Sequence, residues 1–233
     1  MILDPDTAIG GPHHEFPSTQ ASLLEAAASG LAHDAIERVI ALYWKPTYKF
    51  IRSKFGKNNE DAKDLTQGFF AAALQRDFLA RFDPGKASFR TYLRMAVERF
   101  ASNQYAAERR QKRGGDIEFE PVTEQASAGE SPEQVFEREW RRQLFARAVD
   151  DLRAHCQGSA KQIQFQIFQA YDLAEGVRPS YADLAVLHGI PESAVTNHLA
   201  WARRMLREFV TERLRGTTSG ASELREEMRR LWT

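Results

Sequence analysis

Between Asn59 and Arg113 the chain places an acid-led amphipathic helix, a glycine-containing turn and a base-ended helix in direct succession, and this order constrains the fold more than any other stretch. In the first segment Leu65, Phe69 and Ala73, with Phe70 and Leu74 alongside, recur at helical spacing. Glu60, Asp61 and Asp64 crowd its first turns, where the helix dipole favours negative charge. The second segment, from about Ser88 to Gln111, has Phe89, Tyr92, Leu93, Ala96, Val97 and Phe100 as its apolar face and runs into Arg109, Arg110, Lys112 and Arg113. An acidic end and a phosphate-suited end imply two different partners. Asp83, Pro84 and Gly85 mark the turn between them.

Charge is segregated although the whole chain is formally neutral. Residues 99–113 carry five bases against the single acid Glu108, and residues 116–139 carry eight acids against Arg138 alone. A basic surface is followed by an acidic connector. At 233 residues the chain has room for one large or two small domains, and an apolar content of 42% with fifteen Phe and four Trp supplies core bulk. A single cysteine, Cys156, excludes an internal disulfide framework, and no apolar run approaches the roughly 18 residues of a membrane span. The first sixteen residues lack the charged start and apolar core of a signal peptide, so the expectation is a reducing, cytoplasmic protein with no membrane partner.

In chain order, residues 1–17 read as a disordered tail, in which adjacent His13, His14 and Glu15 make no metal site because metal ligands need fixed geometry. A short helix is expected from Ser18 to Gly30 and a longer one from about His33 to Phe55, carrying Ile36, Val39, Ile40, Tyr43, Trp44, Tyr48 and Ile51. Pro46 predicts a kink or break in it. Residues 114–131 read as a linker. Ser131 and Pro132 then open a helix with Val135, Phe136, Trp140, Leu144, Phe145, Ala148 and Leu152, and another spans about Ala160 to Glu175.

The most specific local signal follows. Ser180 can cap a short helix to His188, Gly189 permits a sharp turn, and Pro191 and Glu192 open a longer helix through Val195, Leu199, Ala202, Leu206 and Val210. This is helix-turn-helix spacing. In that geometry Ser193, Thr196, Asn197 and Ala200 lead into a major groove, with His198, Arg203, Arg204 and Arg207 nearer phosphates or solvent. An ordinary helical hairpin with a polar outer face fits the same spacing.

Taken together, these elements resemble a bacterial RNA polymerase sigma factor of the sigma-70 family, extracytoplasmic-function subfamily. The resemblance covers about Phe16 to Leu214. Glu60-Asp61-Ala62-Lys63-Asp64-Leu65-Thr66-Gln67 is similar to the family's acidic "DAEDLTQ" element, Phe89-Arg90-Thr91-Tyr92-Leu93 to its "F-R-x-[WFY]-L" element, and Ser180 to Arg207 to its region-4 helix-turn-helix. The fold implied is all-α, with a region 2-like domain (18–113), a flexible acidic linker (114–131), a region 4-like domain (132–214) and a C-terminal hinge and short helix (215–233). No cofactor or metal is implied, and no P-loop, dinucleotide or nucleophile motif suggests an enzyme.

The resemblance implies core RNA polymerase and promoter DNA as partners. Asp61, Asp64, Leu65, Gln67 and Phe69 fall where the family docks on the polymerase. Arg90, Tyr92, Arg94, Arg99, Asn103, Arg109 and Arg110 fall where it engages and opens the −10 element, and Ser193, Thr196, Asn197, Ala200, Arg203 and Arg204 lie on the −35-reading helix. The chain departs from the pattern at Thr196 and His198, where many members are basic, at Arg99, where many have Asn, and at Gly68, where relatives commonly have Glu. The charge missing at Gly68 motivates an expectation that a Ser/Thr protein kinase phosphorylates Thr66 to license polymerase binding. An anti-sigma factor is the other candidate regulator. Leu224, Met228, Leu231 and Trp232 form a C-terminal amphipathic stripe, read as packing either on itself or over a binding face. A stand-alone helix-turn-helix regulator is the runner-up function.

Overall fold

The structure, a computed structural model, describes residues 32–75, 78–79, 81–83, 85–112, 129–218 and 220–232. The tail, the Ser18 to Gly30 helix, His13, His14, Glu15 and most of the expected linker lie outside these residues. The described residues form helices with no strand: α1 (Ala32–Phe55), α2 (Asn59–Gln75), α3 (Phe89–Lys112), α4 (Pro132–Gly158), α5 (Gln162–Asp172), α6 (Tyr181–His188), α7 (Glu192–Arg215) and α8 (Ala221–Trp232). None is long and apolar enough to cross a membrane. They fall into two compact units, one reaching to Gln143 and resuming at Arg215, the other spanning Leu144–Leu214.

In unit 1, α1 continues through Pro46, so of the expected kink or break there is no break. Val39, Leu42, Tyr43, Trp44, Tyr48, Phe50 and Ile51 are all buried, and this burial on both sides of the proline offsets the roughly 3 kcal/mol that an interior proline costs. Gly56, at φ +58°, ends the helix in the left-handed region. Asn58 then caps α2, its side-chain oxygen accepting from the Asp61 amide at 2.9 Å. The face of α2 that turns inward is Ala62, Thr66, Phe69, Phe70 and Ala73, and Leu74 is exposed.

The turn between α2 and α3 is plugged by side chains the periodicity did not single out. Phe78, Leu79 and Phe82 are buried there, and Phe78 stacks on Tyr92 with ring centroids 4.8 Å apart. Ser88 caps α3, whose buried stripe is Phe89, Leu93, Val97 and Ala101. Its edge-on contacts with Tyr43 and Phe82 join α1, the turn and α3 into one aromatic core.

Helix α4 opens with a reciprocal cap: the Ser131 amide donates to Gln134 Oε1 at 2.7 Å and the Gln134 amide donates to Ser131 Oγ at 3.2 Å. Its early turns belong to unit 1, where Phe136 lies against Tyr43 and Phe50 and Gln143 Nε2 donates to the Ala41 carbonyl. The expected region 4-like domain, 132–214, would include this whole helix, whereas the unit boundary falls between Gln143 and Leu144. Its buried stripe continues through Leu144, Ala148, Leu152 and Cys156 in unit 2.

Unit 2 is built around α7, which buries Val195, Leu199, Ala202, Leu206, Val210 and Leu214. Phe165, Ile167 and Phe168 of α5 and Leu184 of α6 complete the core. Arg213 grips Asp151 with two hydrogen bonds of 2.6 and 2.7 Å, tying α7 to α4.

Candidate macromolecule-binding surfaces

On α2 the structure separates the five residues expected to dock on a polymerase. Asp61, Asp64 and Gln67 are exposed, with Glu60 beside them, and Leu65 is half-buried. Phe69 is core instead: it packs edge-on against Phe70, Phe78 and Phe100 at centroid distances of 5.1 to 5.8 Å. Helical periodicity puts position 69 on the inward face with Ala62 and Thr66, so it cannot share the acidic face. That face is short and negative, with Lys63 in i,i+3 contact with Glu60.

Thr66 is fully buried, at 0% exposure, and its hydroxyl donates to the Ala62 carbonyl one turn back at 2.6 Å. In this conformation the hydroxyl is sealed against the helix and out of a kinase's reach. The geometry agrees with local packing of Thr66 and offers no support for its phosphorylation.

On α3 the residues expected at the −10 element, Arg94 apart, divide into three groups. Arg99 and Asn103 are exposed on one strip with Met95, which is 57% exposed, and Ser102. Arg109 and Arg110 lie on the last turns, their side chains outside the described set. Tyr92 and Arg90 are engaged within the protein. The Tyr92 hydroxyl donates to the Phe78 carbonyl at 2.8 Å, and burial pushes its pKa up. This fixes the turn before α3 and commits the hydroxyl's proton to the Phe78 carbonyl.

Arg90 is held within unit 1 by partners from two other helices. Its guanidinium lies 3.8 Å over the Trp140 ring and donates from Nη1 and Nη2 to the two carboxylate oxygens of Glu227, at 2.6 and 3.0 Å. Glu137 approaches its Nε at 3.2 Å. Burial works against the charge, but the Glu227 hydrogen bond and the Glu137 field outweigh it and raise the pKa. The fork is thus satisfied by two carboxylates and a ring face. Glu227 was not predicted, although a signal existed: it stands between Leu224 and Leu231 at helical spacing, a carboxylate on an apolar stripe. Arg94, next along this edge, is half-buried and near enough to Glu133 to help lower that carboxyl's pKa, after the helix-end backbone amide, Ser131 and Lys54.

In unit 2, Ser180 and Asp183 form a complete capping box, and the Asp183 carboxyl is held below its usual range by the Ser180 hydroxyl and amide. Gly189 adopts φ 63°, ψ 36°, and its amide and that of Ile190 close on the Ala185 carbonyl. The turn so formed launches α7 with Ser193, Thr196, Asn197, Ala200 and Arg204 exposed. Arg203 is exposed too, but its fork is spent on Asp172 of α5 through two hydrogen bonds of 2.8 Å.

Among the described residues the secondary structure is all helical and falls into two units, each presenting polar and charged helix faces of the kind that meet other macromolecules. Residues 40–111 match the family model for sigma-70 region 2, a transcription-factor domain. The match supports a sigma-70 family assignment and a role in transcription initiation, with core RNA polymerase and promoter DNA as the partners such a domain implies. No curated protein matches the chain significantly.

Proposed function

We propose that the chain is a cytoplasmic sigma factor of the extracytoplasmic-function type. Unit 1 docks on core RNA polymerase through the exposed Asp61, Asp64 and Gln67 and engages the −10 element along the Arg99 and Asn103 strip, continued by Arg109 and Arg110. Unit 2 acts as region 4, a helix-turn-helix that offers Ser193, Thr196, Asn197 and Ala200 to the −35 element, with Arg204 at the backbone. The observation that carries the reading is the region 2 match over residues 40–111, joined to the exposure of both charged faces on its helices. Asn and Ser or Thr side chains are suited to base edges, and cations beside an exposed helix strip suit a strand being unpaired.

The test is a pull-down of core RNA polymerase by the full chain, followed by transcription from a promoter library. Wild type should retain polymerase, and Asp61→Lys with Asp64→Lys should lose it while keeping a native melting curve. Failure of wild type to bind polymerase, with tight duplex binding instead, would overturn the proposal in favour of a stand-alone helix-turn-helix regulator.

A further inference from the structure

The segment that follows α7 returns to unit 1 and packs into it at two points. Nearest the core is Thr217, whose side chain stands with that of Trp140 beside the Tyr43 hydroxyl. Tyr43 is at 0% exposure and its ring lies against Phe89 and Phe136, so the segment reaches the aromatic core of unit 1 itself. Thr218, next in the chain, is buried too. Further along, Glu227 is enclosed and accepts through both carboxylate oxygens from Arg90, whose guanidinium lies over the buried Trp140 ring. Glu223, Met228, Arg229 and Trp232 have interactions of their own, so α8 does not depend on one ion pair for its order.

The dependence runs both ways. A twelve-residue helix is marginal by itself in water, so α8 owes its order to docking. Unit 1 in turn loses by its departure: Arg90 is left with Glu137 as its remaining carboxylate partner, and polar groups enclosed around Tyr43 and Trp140 lose a covering segment. Unit 2 is one continuous stretch, Leu144–Leu214, whereas unit 1 consists of the chain up to Gln143 and the part that resumes at Arg215. We propose that residues 215–232 are a structural wall of unit 1, so that unit 1 is a discontinuous domain whose core depends on the end of the chain, while unit 2 is complete without it. An amphipathic C-terminal helix on such a wall is neither packed on itself nor a cover over a binding face. Its loss weakens α1 and α3, far away in the sequence, and spares the α7 that immediately precedes it. The inference concerns packing within unit 1 and holds whatever partners that unit binds.

The experiment is hydrogen exchange of the full chain, read separately for α8, for α1 and α3 of unit 1, and for α7 of unit 2. Glu227→Lys sets a second cation against Arg90; it should speed α8 exchange roughly a hundredfold or more, the loss expected when a buried pair is broken from one side. Exchange in α1 and α3 should follow by roughly tenfold or more, with α7 unchanged. Glu227→Gln keeps the size of the side chain and removes the charge, and should give the same order of effects with a smaller rise, roughly tenfold in α8. Should Glu227→Lys unfold unit 1 outright, α7 protected as in wild type would support the wall, and the milder variant would still grade the effect. Fast exchange in α8 with wild-type protection of α1 and α3 would overturn the proposal, because α8 would then be an appendage. Equal acceleration of α7 would overturn it as well, and so would unchanged α8 exchange in both variants.

Discussion

Arg203 and Asp172 face each other fork to fork, Nε and Nη2 each 2.8 Å from a carboxylate oxygen, across the step from α7 to α5. A cation that sequence spacing assigns to DNA is thereby neutralised inside its own unit, and the Asp172 hydrogen bond raises the arginine's pKa. Asp172→Asn should release it. The expected outcome is tighter promoter binding by the polymerase-bound chain, with the salt slope of log K steeper by roughly 0.9 for one added phosphate contact. Stability should change by less than about 1 kcal/mol, because the Arg203 half of the pair is largely exposed. Binding titrations at several salt concentrations check both.

Gly68 sits inside α2, where glycine costs about 0.5–1 kcal/mol against alanine through backbone entropy. A β-carbon there would touch Phe100 at 3.4 Å, ordinary contact with a side chain rather than a clash. Gly68→Ala should therefore raise the thermal midpoint of unit 1 by a few degrees. A melting curve that falls instead would show that Phe100 cannot yield.

Thr66 separates a phosphorylation switch from a packing role. With its hydroxyl buried against the Ala62 carbonyl, Thr66→Glu forces a charge into the aromatic core and should cost about 3 kcal/mol or more. Thr66→Ala should cost far less, about 1 kcal/mol. Denaturant titration measures both, and polymerase capture by Thr66→Glu equal to or better than wild type would reinstate the switch.

Asp183 gives unit 2 an acid limb. Its carboxyl is depressed below the ordinary 3.8 by the Ser180 hydroxyl and then by the Ser180 amide. Because the folded value is the lower one, the cap's contribution is complete above the unfolded value and disappears as pH falls through the folded value. Ser180→Ala should cost about 1 kcal/mol at neutral pH. The difference between wild type and Asp183→Asn should vanish in acid, which a pH series of melting curves reads directly.

What sequence alone determined is what acts between near neighbours. The apolar spacing that made α2, α3 and α7, the boxes Ser131/Gln134 and Ser180/Asp183, and the left-handed Gly189 all concern groups three or four residues apart, so their chemistry is written in adjacent letters. The region 2 pattern was legible for the same reason: its motif residues lie on consecutive turns of two helices.

Only the tertiary structure decided where the charges go. Arg90 meets a partner 137 residues away and Arg203 one 31 residues away, and no local pattern distinguishes an arginine so engaged from one left to solvent. The same holds for Pro46, whose cost is offset by burial on both of its sides. Long-range pairing depends on which surfaces the packed helices bring together. That is a property of the folded core rather than of any stretch of chain.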